Sequence, residues 1–204
     1  MTKKSNIDKY VKNMYYFKNI LKGQKMAQSK KRVLINLVHP NMNESRVNKV
    51  LSEVAQKEDF VTINNLYAKY PDFKIDVKKE QQLLLENDVI VFQFPMYWLS
   101  SPALLKEWLD VVLEYNFAFG EHYKLENKTL LIATSVGSGT AQYNKNGSNK
   151  FTVEEILNSF EATANYIKMN YAKPFVTYET FVISDEKLEE SAKNYVEYLK
   201  ELAK

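Results

Sequence analysis

DVIVFQFPMYWLSSPALLKEWLDVVLEYNFAFG, residues 88–120, carries the two periodicities on which the whole chain is built. Asp88–Phe94 is an almost unbroken apolar run of strand length, the pattern of a strand buried on both faces. Pro95 breaks it, and Tyr97 and Trp98 follow directly. Behind Ser100-Ser101-Pro102 the apolar residues return at helical spacing, with Leu104, Leu105, Trp108, Leu109 and Val112 on one face of a helix over Pro102–Leu113. Two large aromatics at the end of a buried strand are poor packing choices unless something flat lies against them.

The alternation continues on both sides of this stretch. Val33–Val38, Phe60–Ile63, Thr129–Thr134 and Phe175–Ile183 read as further strands. Ser45–Lys57, Val77–Asn87, Val153–Ile167 and Glu186–Ala203 read as helices. Strands alternating with helices predict a parallel sheet with right-handed crossovers and helices on both faces. Five such units predict an α/β fold: a flavodoxin-like, doubly wound, five-stranded parallel sheet in a three-layer sandwich. Ligands of that architecture bind outside the carboxyl ends of the strands, where the strand order reverses. The loops after strands one, three and four are therefore the expected site.

Composition narrows the class. At 204 residues, with 45% apolar and 26% charged residues, the chain supports one well-buried core and does not call for two. The overall net charge of +3 comes from the stretch between Lys3 and Arg32, where ten Lys and Arg face one Asp; the remaining residues carry a small acidic excess, which argues against a nucleic-acid partner. Cysteine is absent, which rules out disulfides and thiolate chemistry and fits a reducing cytoplasm. No metal site is expected, and no apolar run reaches the roughly 20 residues needed to cross a bilayer. Residues 1–31 are expected to be a basic appendage to a domain spanning 32–204. Met26, just upstream of the first strand, suits a later start of the native protein, while a loosely packed amphipathic helix accounts for residues 1–25 equally well.

Each expected site loop has its own chemistry. In His39–Asn48, Ser45 is expected to cap the helix, and the amides behind it, with Arg46 nearby, suit a phosphate. A simply capped helix has the same appearance. His39 is a ligand candidate or an ordinary loop hydrogen-bonder. The glycine fingerprints of dinucleotide-binding and nucleoside-triphosphate loops are both missing, which favours a single phosphate, as on FMN. Pro95-Met96-Tyr97-Trp98-Leu99 offers a wall for a flavin ring, or else packs on a neighbouring helix. Ser135-Val136-Gly137 and its neighbours offer backbone amides for the charge that hydride addition leaves on a flavin, or form a polar surface loop.

Together HPNMNESRVNK, LYAKYPDFKIDVKKEQ, FQFPMYWLSSPALLKEWLD and FAFG resemble the NAD(P)H:quinone reductase family of flavodoxin-like proteins. That family includes bacterial quinone and modulator-of-drug-activity reductases and the ancillary subunits of glutathione-gated potassium efflux systems. The resemblance implies a tightly held flavin, FMN in most bacterial members with FAD possible, in a homodimer whose sites lie at the subunit interface. It implies that His39, Ser45, Val47 and Asn48 hold the phosphate and ribityl chain. Pro95, Met96, Tyr97, Trp98 and Leu99 would carry the ring, and Ser135, Val136 and Gly137 would meet its pyrimidine edge. Phe117 and Phe119 would face the partner subunit's substrate pocket, and Tyr143 would assist charge transfer. The histidine that accompanies this tyrosine in mammalian members has no counterpart, and Phe119 stands where the family motif has a tyrosine.

The expected activity is two-electron, ping-pong transfer from NAD(P)H through FMN to a quinone-like acceptor. The alternative is an ancillary subunit docking on a membrane potassium transporter. A flavodoxin-type electron carrier fits less well, since those proteins are strongly acidic and this chain is slightly basic.

Overall fold

β3, Val89–Pro95, is buried at all seven positions, as its apolar run requires of a central parallel strand. In the computed structural model, which describes residues 30–204, it sits between β1 (Val33–Leu37) and β4 (Thr129–Ser135). The expected basic segment, apart from its last two residues, lies outside the described residues. β2 (Val61–Asn65) flanks β1, and β5 (Asn170–Tyr171) and β6 (Phe175–Thr177) both flank β4. Every pairing is parallel, in the order β2-β1-β3-β4-β5. The chain runs outward from β1 to β2 and then back to β3, so the strand order reverses between β1 and β3. That gap is where such a sheet opens a crevice.

Side-chain alternation along the strands builds two cores. Leu34, Ile90, Phe92, Phe94 and Ile132 point to one face, beneath α3 (Val77–Glu86), α4 (Ala103–Val112) and α6 (Asn158–Tyr166). Val33, Ile35, Val89, Val91 and Leu131 point to the other, beneath α1 (Val47–Ala55) and α7 (Asp185–Leu202). The expected three layers follow. A short helix after β2, α2 (Leu66–Lys69), and a single turn, α5 (Val153–Ile156), complete the elements.

One carboxylate lies wholly inside. Glu80 of α3 is 0% exposed and accepts from the Tyr70 hydroxyl at 2.9 Å, the Trp108 indole N–H at 2.9 Å and the Asn64 amide at 2.7 Å. A buried carboxyl group is tolerated when its lone pairs are filled, and here the filling pins α3 to β2 and α4.

Three local expectations need correction. Ser45 does not cap α1: the helix starts one residue later, with Arg46 at the cap position and no side-chain cap. The Ser45 N–H instead turns back to the Met42 carbonyl at 3.3 Å. The expected helix over Val153–Ile167 is interrupted at Leu157, where ψ rises to 3°. The expected fifth strand survives only as Phe175–Thr177, preceded by the two-residue β5. Pro174 has no N–H to give the ladder, and Glu179 (φ 59°) turns the chain away, its carbonyl taking the Val182 and Ile183 N–H groups at 2.8 Å.

Candidate active site

A groove of about 390 Å³ opens at the carboxyl edge of β1, β3 and β4. One wall is the loop after β1 with the first turn of α1, from His39 to Asn48. The loop after β3 contributes Pro95, Met96 and Tyr97, and the loop after β4 contributes Ser135 and Gly137. Thr180 and Phe181, beyond β6, close the remaining side.

The α1 wall is held from below. The Asn48 side-chain amide donates to the Ser135 hydroxyl at 3.0 Å, and its main-chain carbonyl accepts from the Gln93 amide at 2.9 Å. The Gln93 side-chain oxygen Oε1 in turn accepts from the Tyr195 hydroxyl at 3.1 Å. Gln93 is thus a polar residue satisfied on both ends inside an apolar strand. Asn48 keeps one orphan: its Oδ1 is buried and has no partner. Buried acceptors are seldom left so, and one lining a groove at an uncapped helix N-terminus marks a place for a ligand's donor.

His39 is 8% exposed, and its Nδ1 accepts the Asn41 N–H at 3.1 Å. Burial lowers its pKa, against a smaller opposing pull from Glu44. The imidazole is therefore neutral near pH 7, with its proton on Nε2. Its ring meets Tyr97 edge to face at 6.4 Å. Burial, with Tyr67 and Glu44 nearby, raises the Tyr97 pKa, so this hydroxyl stays a donor.

Trp98 and Leu99 stand apart from the groove lining. Tyr97 and Ser100 exchange both backbone hydrogen bonds, at 2.9 and 3.0 Å, around a two-residue turn with φ 50° at Trp98 and 60° at Leu99. Positive φ at both positions is the primed-turn geometry that ordinarily calls for Asn-Gly. Trp98 is 99% exposed at its tip. Large side chains held in a left-handed turn carry strain, which characteristically persists at functional sites.

The loop after β4 is laced to the chain beyond β6. Val136 donates to the Thr177 carbonyl at 2.9 Å and accepts from Thr180 at 3.2 Å, and its side chain is buried in the core. It supports the groove without lining it. A Cβ at Gly137 would stand 2.4 Å from the Phe181 ring, so any larger residue there would push that exposed side chain aside. Phe117 is enclosed in the core, so of the expected pair only Phe119 reaches the surface, beside Tyr166 at 5.7 Å and Tyr115 at 5.8 Å. Tyr143 packs on Tyr178 at 6.1 Å, away from the groove lining; burial raises its pKa and a hydrogen bond from Asn149 opposes the shift. Thr180 and Phe181 were not expected in the site, because the sequence placed them in a strand. The turn at Glu179 that ends the strand before them has no signal in the local sequence.

Residues 31–199 match the family model described as a flavodoxin-like fold. The chain belongs to that family. Among its relatives is the uncharacterized NAD(P)H oxidoreductase YrkL of Bacillus subtilis, 45% identical over 170 residues, covering 83% of this chain and 98% of the relative. The glutathione-regulated potassium-efflux system ancillary protein KefG of Erwinia tasmaniensis is 39% identical over 175 residues, covering 85% and 95%. Of the solved structures, general stress protein 14 of Treponema denticola in complex with FMN superposes with a TM-score of 0.80. It is 39% identical and covers 84% of this chain and 99% of that one. Among the described residues no group of His, Asp and Glu is placed to hold a metal ion, and no helix is long and apolar enough to cross a membrane.

Proposed function

We propose that the domain is an FMN-dependent NAD(P)H oxidoreductase that passes two electrons to a quinone or similar acceptor by a ping-pong route. The observation that carries this reading is the groove at the switch point. There an uncapped helix N-terminus and the orphaned Asn48 Oδ1 lie together. Likeness to an NAD(P)H oxidoreductase and to an FMN complex supports it.

The residues suit such a group. The first turn of α1, with Ser45, Val47 and Asn48, would hold the phosphate. Asn48 Oδ1 would be free to accept a donor from the bound group, and His39 would offer its Nε2–H. Pro95, Met96, Tyr97, Ser135 and Gly137 bound the ring, with Trp98, Leu99 and Val136 setting their loops. The flavin, when bound, supplies hydride acceptance and release, leaving binding, orientation and proton handling to the protein. Tyr143 packs on Tyr178 outside the groove lining, so proton delivery by this residue would need a path from there to the acceptor; burial keeps its hydroxyl a donor. Phe119, with Tyr115 and Tyr166 around it, is the surface through which a second copy would complete the substrate pocket. Residues 1–31 are assigned as an appendage and the protein to the cytoplasm.

The test is the absorbance spectrum of the purified protein, followed by anaerobic addition of NADH or NADPH. A flavin spectrum that bleaches with either nicotinamide is expected. An FMN-loaded protein that oxidises neither would overturn the proposal. A second reading, an ancillary subunit of a potassium efflux transporter, is favoured by the nearly full-length likeness to KefG. Co-purification with such a transporter tests it, and the two roles are compatible.

A further inference from the structure

Arg46 occupies the cap position of α1 and lines the groove, yet its guanidinium turns toward the opposite wall. It donates to the Ile183 carbonyl at 2.7 Å and pairs with the Asp185 carboxylate. This link joins the helix end proposed to seat a phosphate to the chain that closes the far side of the groove. That chain is itself tied down: Thr180 donates to Val136, Phe181 packs against Gly137, and the Ile183 N–H is taken by Glu179.

The two helix N-termini at this end differ in kind. α1 has no side-chain cap and no acidic residue in its first turn. α7 is capped by its own Ser184, which accepts the Lys187 N–H at 3.3 Å, and carries Asp185 and Glu186 in its first turn. The first can receive an anion, whereas the second already has its acceptor and presents two carboxylates. Of these two termini, only that of α1 is open to a phosphate.

We infer that the Arg46 link to Ile183 and Asp185 makes the site selective for the mononucleotide FMN over the dinucleotide FAD. The inference rests on the flavin reading above. Both flavins share the ring, the ribityl chain and the first phosphate. FAD alone must carry a second phosphate and an adenosine beyond it. An extension leaving the α1 terminus toward the far wall would meet the guanidinium of Arg46 and the Asp185 carboxylate paired with it. Arg46 and Asp185 are specificity-determining here through what they exclude. Their side chains are 43% and 85% exposed, so solvent weakens the link and its effect is moderate.

The experiment titrates flavin-stripped protein with FMN and with FAD, reading quenching of flavin fluorescence. Native protein is expected to prefer FMN, and the R46A/D185A variant to lose about threefold of that preference, chiefly by binding FAD more tightly. Asp185→Asn, a milder change that keeps the N-terminal turn of α7, should move the ratio in the same direction by a smaller factor. Thermal melting of each apoprotein verifies the fold. Equal affinity of native protein for both flavins would overturn the selectivity and leave the oxidoreductase reading intact. An unchanged ratio in both variants, or a parallel loss of both affinities, would also overturn it. Binding of neither flavin by native protein would remove both proposals together.

Discussion

The side-chain amide of Asn48 donates to the Ser135 hydroxyl at 3.0 Å, tying the start of α1 to the end of β4. Two sides of the groove are thereby held in register by one buried bond. Gln93 continues the linkage to Tyr195 of the last helix, so α7 supports a site that Tyr195 does not line.

Removing the far end of that chain tests the linkage. Tyr195→Phe leaves the ring packed but strips a hydrogen bond from a buried amide oxygen, at a cost of about 1 kcal/mol. Flavin titration should show weaker binding, and Gln93→Leu should weaken it further by releasing the Asn48 carbonyl. Unchanged affinity in both variants would count against any positioning role.

Glu80 should be among the most sensitive positions in the domain. Glu80→Ala strands the Tyr70 hydroxyl, the Trp108 N–H and the Asn64 amide in the core, and a loss of about 3 kcal/mol or more is expected in urea unfolding. Glu80→Gln keeps one acceptor oxygen and should cost less.

The turn at Trp98 and Leu99 predicts the opposite sign. Replacing the pair by Asn-Gly suits the positive φ values and removes almost no packing at position 98, so the melting temperature should rise, by about 1–2 kcal/mol in stability terms. Oxidoreductase turnover should fall in the same variant if the strained turn serves the site. A stabilised variant with native turnover would show that it does not.

His39 sets a pH dependence. Its folded pKa is lowered by burial from the ordinary 6.5, so the unfolded chain binds the proton more readily. The associated stability is fully present above 6.5 and declines as the pH falls from there through the lower folded value. Melting temperatures between pH 8 and 5 should show that decline, and His39→Asn should flatten it.

The legible parts of this fold were those written in local pattern. β3 and α4 appear in the sequence almost as they stand, because a doubly buried strand and a one-sided helix impose distinct periods. The end of the chain's last strand was less legible. Val176 to Ile183 has a strand's composition, and only Pro174 warns of a break, while the turn at Glu179 leaves no local mark. Thr180 and Phe181 were missed as a consequence. Arg46 shows a different limit: its partners lie 137 and 139 residues along the chain, and no local pattern could place them.

The same broken strand has a consequence for the β4 side of the sheet. A two-residue piece and a three-residue piece, separated by a segment containing a proline, leave no continuous ladder of free backbone groups on which an incoming strand could align. That margin is guarded against the templated pairing that turns an open sheet into an aggregation seed. Association of this domain with another chain there has to use side chains, because the main chain has no long run of bonds left to share.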